Sequence, residues 1–180
     1  MRIIHTADLH LGQVLYQSYG RADEHDHFFS QLQDWCREHR PDVLLVSGDV
    51  FDIQQPGASV KEAFTRHFVN LIESCPDMTV VITAGNHDSA SRLHADRAIW
   101  KRSGVHIVGV PPMNDPPADD DKWMEDFIVR TGSGYIVALP YVTGGREDVI
   151  QRLLDKVAGE NTDGKPVVMM GHLAVTGVDV

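Results

Sequence analysis

Four short clusters in this 180-residue chain bring carboxylate, imidazole and carboxamide side chains close together. They are Asp8-Leu9-His10, Gly48-Asp49, Gly85-Asn86-His87-Asp88 and Gly171-His172. No cysteine lies in any of them. Mixed imidazole and oxygen donors suit Mn²⁺, Fe or Zn. Asp49 could use both carboxylate oxygens to bridge two ions. Ions held about 3.5–4 Å apart activate a shared water and stabilise in-line displacement at phosphorus. Taken alone, Asp8-x-His10 or Gly48-Asp49 reads more readily as a turn at a strand end than as a metal site. The GNHD run is more telling, because Asn, His and Asp on one Gly turn serve no obvious core purpose.

For these residues to act together the fold must gather them, and the hydrophobic pattern supplies the means. Short apolar runs alternate with amphipathic stretches, the signature of an α/β fold. RIIHTA, DVLLVSG, MTVVITAG, VHIVGV and KPVVMMGH read as strands, the second, third and last as buried ones. Helices are expected over residues 23–40, with Phe28, Leu32 and Trp35 on one face, and over 59–73, with Val60, Phe64, Phe68 and Leu71. Ser59 and Glu62 have the spacing of a capping box. Further helices are expected over 91–103 and 146–159, with a hairpin over 127–142 turning at Gly132-Ser133-Gly134. Residues 111–126, rich in Pro and Asp, read as a solvated loop. Each of the four clusters falls at the carboxyl end of a strand, where sites gather in open α/β sheets. In an extended segment Asp8 and His10 would point the same way and could reach one ion. Gly48 and Gly85 each precede a candidate ligand, where a side chain would crowd the turn.

The remaining histidines provide a contrast. His25-Asp26-His27 has metal-like spacing on paper, but positions i and i+2 of a helix lie about 200° apart. The run is expected to be a solvated helix face. His5 and His106 lie in strands and read as buried structural residues. His39, His67 and His94 fall on expected helices without an assigned role.

Lys and Arg number 16 against 26 Asp and Glu, a net charge of −10. That balance argues against a standalone nucleic-acid binder, so a phosphate-bearing substrate would need local help from metal ions, a few arginines or a partner. Cys36 and Cys75 form no CxxC pair and read as free thiols in a reducing cytoplasm. No apolar stretch approaches a membrane span, and the first residues lack the pattern of a signal peptide.

In this order the clusters resemble the calcineurin-like metallophosphoesterase superfamily, with its pattern D-x-H, G-D, G-N-H-D/E, G-H and G-H-x-H. The stretches HTADLHLGQVLYQ, LLVSGDVFD, ITAGNHDS and GHLAVTG are similar to those of its DNA-repair nuclease branch, and the similarity runs through nearly the whole chain. The resemblance implies an αββα sandwich and two divalent metal ions, Mn²⁺ foremost, with Fe, Zn or Mg as alternatives. It makes Asp8, His10 and Asp49 ligands of one ion, and Asp49, Asn86 and His172 ligands of the second. His87 becomes the catalytic histidine that contacts the scissile phosphate or protonates the leaving oxygen. Asp88 would orient His87, and Asp52 would stand behind the ligands. DNA as substrate, a coiled-coil ATPase as partner and a homodimer through helices near the site follow from the same source. Residues 59–73 and the helix ending at Trp100 are the candidate dimer elements, although packing on the sheet explains them equally well.

After His172 only LAVTGVDV remains, and no G-H-x-H follows. The expectation is that residues 1–180 form the amino-terminal part of a nuclease domain, without the final motif and capping region, holding metal loosely. Two alternatives carry different consequences: a phosphoesterase acting on a small substrate, and an impaired fragment with a scaffold role.

Overall fold

Continuous aliphatic runs give this chain its strands, and the stripes of its amphipathic helices cover them. The computed structural model describes residues 1–113, 121–144 and 146–173. In chain order the first half contains β1 (Ile3–Thr6), β2 (Val14–Leu15), β3 (Tyr19–Gly20), α1 (Ala22–His39), β4 (Val43–Ser47), α2 (Ala58–Ser74) and β5 (Thr79–Thr83). The second half contains α3 (Ala90–Ala95), α4 (Arg97–Lys101), β6 (Val105–Val108), a 3₁₀ turn (Lys122–Asp126), β7 (Ile128–Thr131), β8 (Gly134–Leu139), α5 (Glu147–Glu160) and β9 (Val167–Gly171).

Two sheets form the centre. The first is parallel, in the order β1-β4-β5-β6, with Leu44 opposite Ile4 on one side and Val80 on the other. The second has the order β7-β8-β9, antiparallel at β7–β8 and parallel at β8–β9. Strand alternation sends Leu44, Val46, Val80, Ile82 and Ile107 to one face, where Phe29 and Leu32 of α1 and Phe64, Phe68 and Leu71 of α2 cover them. Val43, Leu45, Val81 and Val108 face the other way and pack with Ile136, Val137 and Leu139 of the second sheet. Val149, Leu153 and Val157 of α5 complete that layer. The result is an α-β-β-α sandwich. Every residue of β4 is buried, and each large aliphatic chain so placed stabilises the fold by about 1.5–3 kcal/mol.

Several local expectations shift. The buried stripe of α1 runs through His25, Phe29, Leu32 and Cys36, one residue away from the expected Phe28 and Trp35, and Trp35 is exposed. His25 thus lies inside the fold rather than on a solvated face, while His27 is exposed as expected. Helix α2 begins at Ala58 with Gly57 as its cap, so Ser59 sits inside the first turn and caps nothing with its side chain. The helix expected over 91–103 is broken at Asp96, which ends α3 and opens α4. His5 is exposed on β1, an edge strand among the described residues, and bonds Ser47 Oγ at 3.0 Å. The 127–142 hairpin forms as expected, and Cys36 and Cys75 are free thiols. Part of the Pro- and Asp-rich loop lies outside the described residues. Among those described, no helix is long and apolar enough to cross a membrane.

Candidate metal centre

The carboxyl ends of β1, β4, β5 and β9 meet at one edge of the sandwich, so both sheets contribute. The loops after β1 and β4 are stitched together by backbone hydrogen bonds. Asp8 N–H donates to Gly48 O at 3.2 Å, His10 N–H to Asp49 O at 2.9 Å, and Leu11 N–H to Val50 O at 2.9 Å. Asp52 N–H returns to Leu11 O at 3.2 Å.

Asp8, His10 and Asp49 all have left-handed backbones, with φ of 54°, 45° and 47°. Asp8 and His10 therefore reach the site from left-handed backbone positions in the loop beyond β1, not from an extended strand. Left-handed backbone costs a non-glycine residue about 1–2 kcal/mol, and such strain clusters at functional sites. Gly48 shares this conformation at φ 80°, and a β-carbon there would lie 2.5 Å from the His172 ring. At Gly85 the obstacle is the Asp49 carboxylate itself, 2.0 Å from where a β-carbon would stand.

Asp49 is the hub. It is only 3% exposed, and its Oδ1 accepts the His87 backbone N–H at 2.9 Å. Its Oδ2 stands 3.7 Å from His10 Nε2 and 3.6 Å from His172 Nε2. Asp8 Oδ1 lies 4.0 Å from His10 Nε2. Two groups of three donors, His10–Asp49–His87 and Asp8–Asp49–His172, each have all their ligand atoms within 4.8 Å of one another. Asp49 belongs to both. Asp8 and His10 fall in different groups, yet their own donor atoms, Asp8 Oδ1 and His10 Nε2, are close enough to share an ion.

The imidazoles are held by their other nitrogens. His172 Nδ1 donates to Ser47 O at 3.0 Å, which leaves the Nε2 lone pair facing Asn86 Oδ1, also at 3.0 Å. Two electron-rich atoms converging in this way fit a cation between them. His87 Nδ1 donates to Asp52 O at 2.9 Å, and its ring meets that of His10 edge-on at 4.9 Å between centroids. This backbone bond is the largest cause of a raised His87 pKa, with Asp49, Asp52 and Asp88 adding to it. His10 Nδ1 faces Asp52 Oδ1 at 3.3 Å without a straight hydrogen bond.

Asp88 hydrogen-bonds backbone amides rather than the His87 ring. It is 5% exposed, and its carboxylate accepts the backbone N–H groups of Gly85 at 2.8 Å, Phe51 at 2.9 Å and Val50 at 3.1 Å. It ties the loop after β5 to the one after β4, while the His87 ring is held by the Asp52 carbonyl. Burial raises the Asp88 pKa, and the three amides pull against it. Sequence reasoning also passed over Gln13, whose Nε2 donates to Asp52 Oδ1 at 3.1 Å. Nothing in its type or spacing announces this.

The described ion-pair partners of Asp8, Asp49 and Asp52 are imidazoles, so the clustered negative charge and free nitrogen lone pairs suit divalent cations. Comparison with known proteins agrees with this chemistry. Residues 1–179 match the calcineurin-like phosphoesterase family, and the chain belongs to it. Among its relatives is SbcD, the D component of the SbcCD nuclease, from Rhodobacter capsulatus; it is 34% identical over 144 residues, covering 79% of this chain and 35% of the relative. SbcD of Escherichia coli K12 is 40% identical over 108 residues, covering 60% of this chain and 26% of the relative. The Bacillus subtilis protein of the same name is 32% identical over 111 residues, covering 62% and 28%. The chain thus spans about a quarter to a third of the length of these relatives.

Proposed function

We propose that residues 1–180 belong to the phosphoesterase domain of a metal-dependent DNA phosphodiesterase of the SbcD type. The observation that supports this most is the convergence of Asp8, His10, Asp49, Asn86 and His172 on one edge, with Asp49 common to both donor groups. Asp8, His10 and Asp49 would hold one ion, and Asp49, Asn86 and His172 the other. Mn²⁺ is the preferred occupant on its tolerance of mixed imidazole and carboxylate donors. When bound, a pair of such ions supplies charge to the phosphoryl oxygens and a water acidic enough to attack phosphorus.

The chain's own residues do the rest. His87 is exposed at the rim of the site, with Nδ1 committed to Asp52 O and Nε2 free to face a phosphate. Its raised pKa favours the protonated ring, which donates to a phosphate oxygen or passes its proton to the leaving oxygen. Asp88 keeps the His87 loop in place from beneath.

The net charge of −10 leaves DNA attraction to the metal centre and to partners. A coiled-coil ATPase of the SbcC type is the proposed partner, because the relatives are components of a nuclease named SbcCD. We place the complex in the cytoplasm. A homodimer through α2 and α4 is also proposed, supported by Ile99, which is 71% exposed beside Trp100. The test is cleavage of duplex DNA ends with Mn²⁺, compared with hydrolysis of a chromogenic phosphodiester. His87→Ala in the full-length protein should keep Mn²⁺ and lose about 10²–10⁴-fold in rate. Undiminished cleavage by that variant removes His87 from the mechanism.

A further inference from the structure

We propose that Gln13 is a positioning residue for this centre, and that Arg21 sets the direction in which it works. The proposal rests on the reading of His10 and His87 given above. Gln13 Nε2 donates to Asp52 Oδ1 at 3.1 Å, while its Oε1 accepts from Arg21 Nη1 at 2.6 Å. Arg21 Nε is in turn held by Glu24 Oε2 at 2.8 Å, in the first turn of α1. Asp52 meets both rings, its Oδ1 facing His10 Nδ1 at 3.3 Å and its carbonyl holding His87 Nδ1 at 2.9 Å. A chain of named contacts therefore runs from Glu24 through Arg21, Gln13 and Asp52 to two histidines of the site.

The chemistry of the ends fixes the middle. A guanidinium can only donate and a carboxylate can only accept, so the amide between them must turn its oxygen to Arg21 and its NH₂ to Asp52. A glutamate in its place would offer oxygen to both, and a methionine would satisfy neither. The backbone of Gln13 is pinned as well. Its N–H donates to His10 O at 3.0 Å, and its carbonyl accepts Arg21 N–H at 3.2 Å. Residues 13 and 21 thus close the base of the β2–β3 hairpin, so the same pair that anchors the hairpin also orients Asp52. Groups standing behind metal ligands typically change metal affinity about 10–100-fold when removed.

A purely structural role in closing the hairpin is the competing account, and Mn²⁺ titration of the metal-free full-length protein by calorimetry separates the two. Gln13→Met, nearly isosteric and uncharged, should raise the Mn²⁺ Kd about 10-fold. Arg21→Met should also raise it, yet add less than about twofold in the Gln13→Met background, because its action passes through the amide. Arg21→Lys, which can still donate to Oε1, should stay within about twofold of wild type. If Gln13→Met fails to fold, Arg21→Met against Arg21→Lys decides alone. A Gln13→Met protein that melts earlier but binds Mn²⁺ within about twofold of wild type overturns the proposal. So does an Arg21→Met effect of equal size in both backgrounds. Asp49→Ala in the same titration guards the underlying reading. If it too keeps stoichiometric Mn²⁺, the metal site itself is wrong; if it alone loses the ion, only the role of Gln13 fails.

Discussion

Asp49 Oδ2 and His172 Nε2 stand 3.6 Å apart, although one residue follows β4 in the first sheet and the other follows β9 in the second. The site is therefore a product of how the two sheets stack. Anything that shifts one layer against the other separates the donors before it unfolds either sheet.

Gly85 is where that packing has least room. A β-carbon would lie 2.0 Å from Asp49 Oδ1 and 2.2 Å from its backbone nitrogen. Gly85→Ala should cost about 1–3 kcal/mol in denaturant unfolding and should displace the Asp49 carboxylate. Mn²⁺ titration of the variant should show weakened or lost binding. Unchanged stability together with unchanged binding would mean that Asp49 does not occupy this position.

Asp88→Asn tests the loop clamp. The carboxylate accepts three backbone N–H groups, whereas a carboxamide presents one oxygen and turns an NH₂ against a remaining donor. Leaving a buried amide unpaired costs about 1–3 kcal/mol, so the metal-free protein should unfold at lower denaturant. Hydrogen exchange at Val50, Phe51 and Gly85 should speed up. Wild-type protection at all three amides would assign Asp88 another task.

A pH dependence follows from the buried ring between α1 and α2. His67 stacks on Phe29 with centroids 4.2 Å apart and planes within 5°. Burial lowers its pKa below the ordinary 6.5; Arg66 and His25 act the same way, and Asp26 opposes them. Because the unfolded state takes the proton first, this ring's contribution to stability is present above pH 6.5 and drains away as pH falls through the lowered value. His67→Phe should therefore narrow the gap between melting temperatures at about pH 7.5 and about pH 5. An undiminished gap would shift the effect to other groups, His25 among them, whose pKa burial also lowers.

Much of the site can be read from residue types. Asp8, His10, Asp49 and Asn86 follow strands of the parallel sheet, which delivers strand ends to one edge, whereas His172 follows β9 of the second sheet, a strand expected to be buried in which only Met170 is. The physical reason differed in one respect. Left-handed backbone at Asp8 and His10, which no alternation rule contains, brings the two side chains in. The role of Asp88 could not be read because its partners are backbone amides, and these carry no mark in a sequence. Gln13 was opaque for a related reason: its meaning depends on Arg21 and Asp52, which only the fold brings within reach. The α1 stripe was misread at His25, since a hydrophobic pattern counts imidazole as polar, yet the ring sits in line with Phe29, Leu32 and Cys36.

Anomalous diffraction from crystals of the protein soaked in Mn²⁺ tests the central claim most directly. The predicted result is two peaks that share the Asp49 carboxylate, with Asp8, His10, Asn86 and His172 as the other protein ligands. Peaks elsewhere on the molecule, or a site at this edge left empty at saturating Mn²⁺, would contradict it.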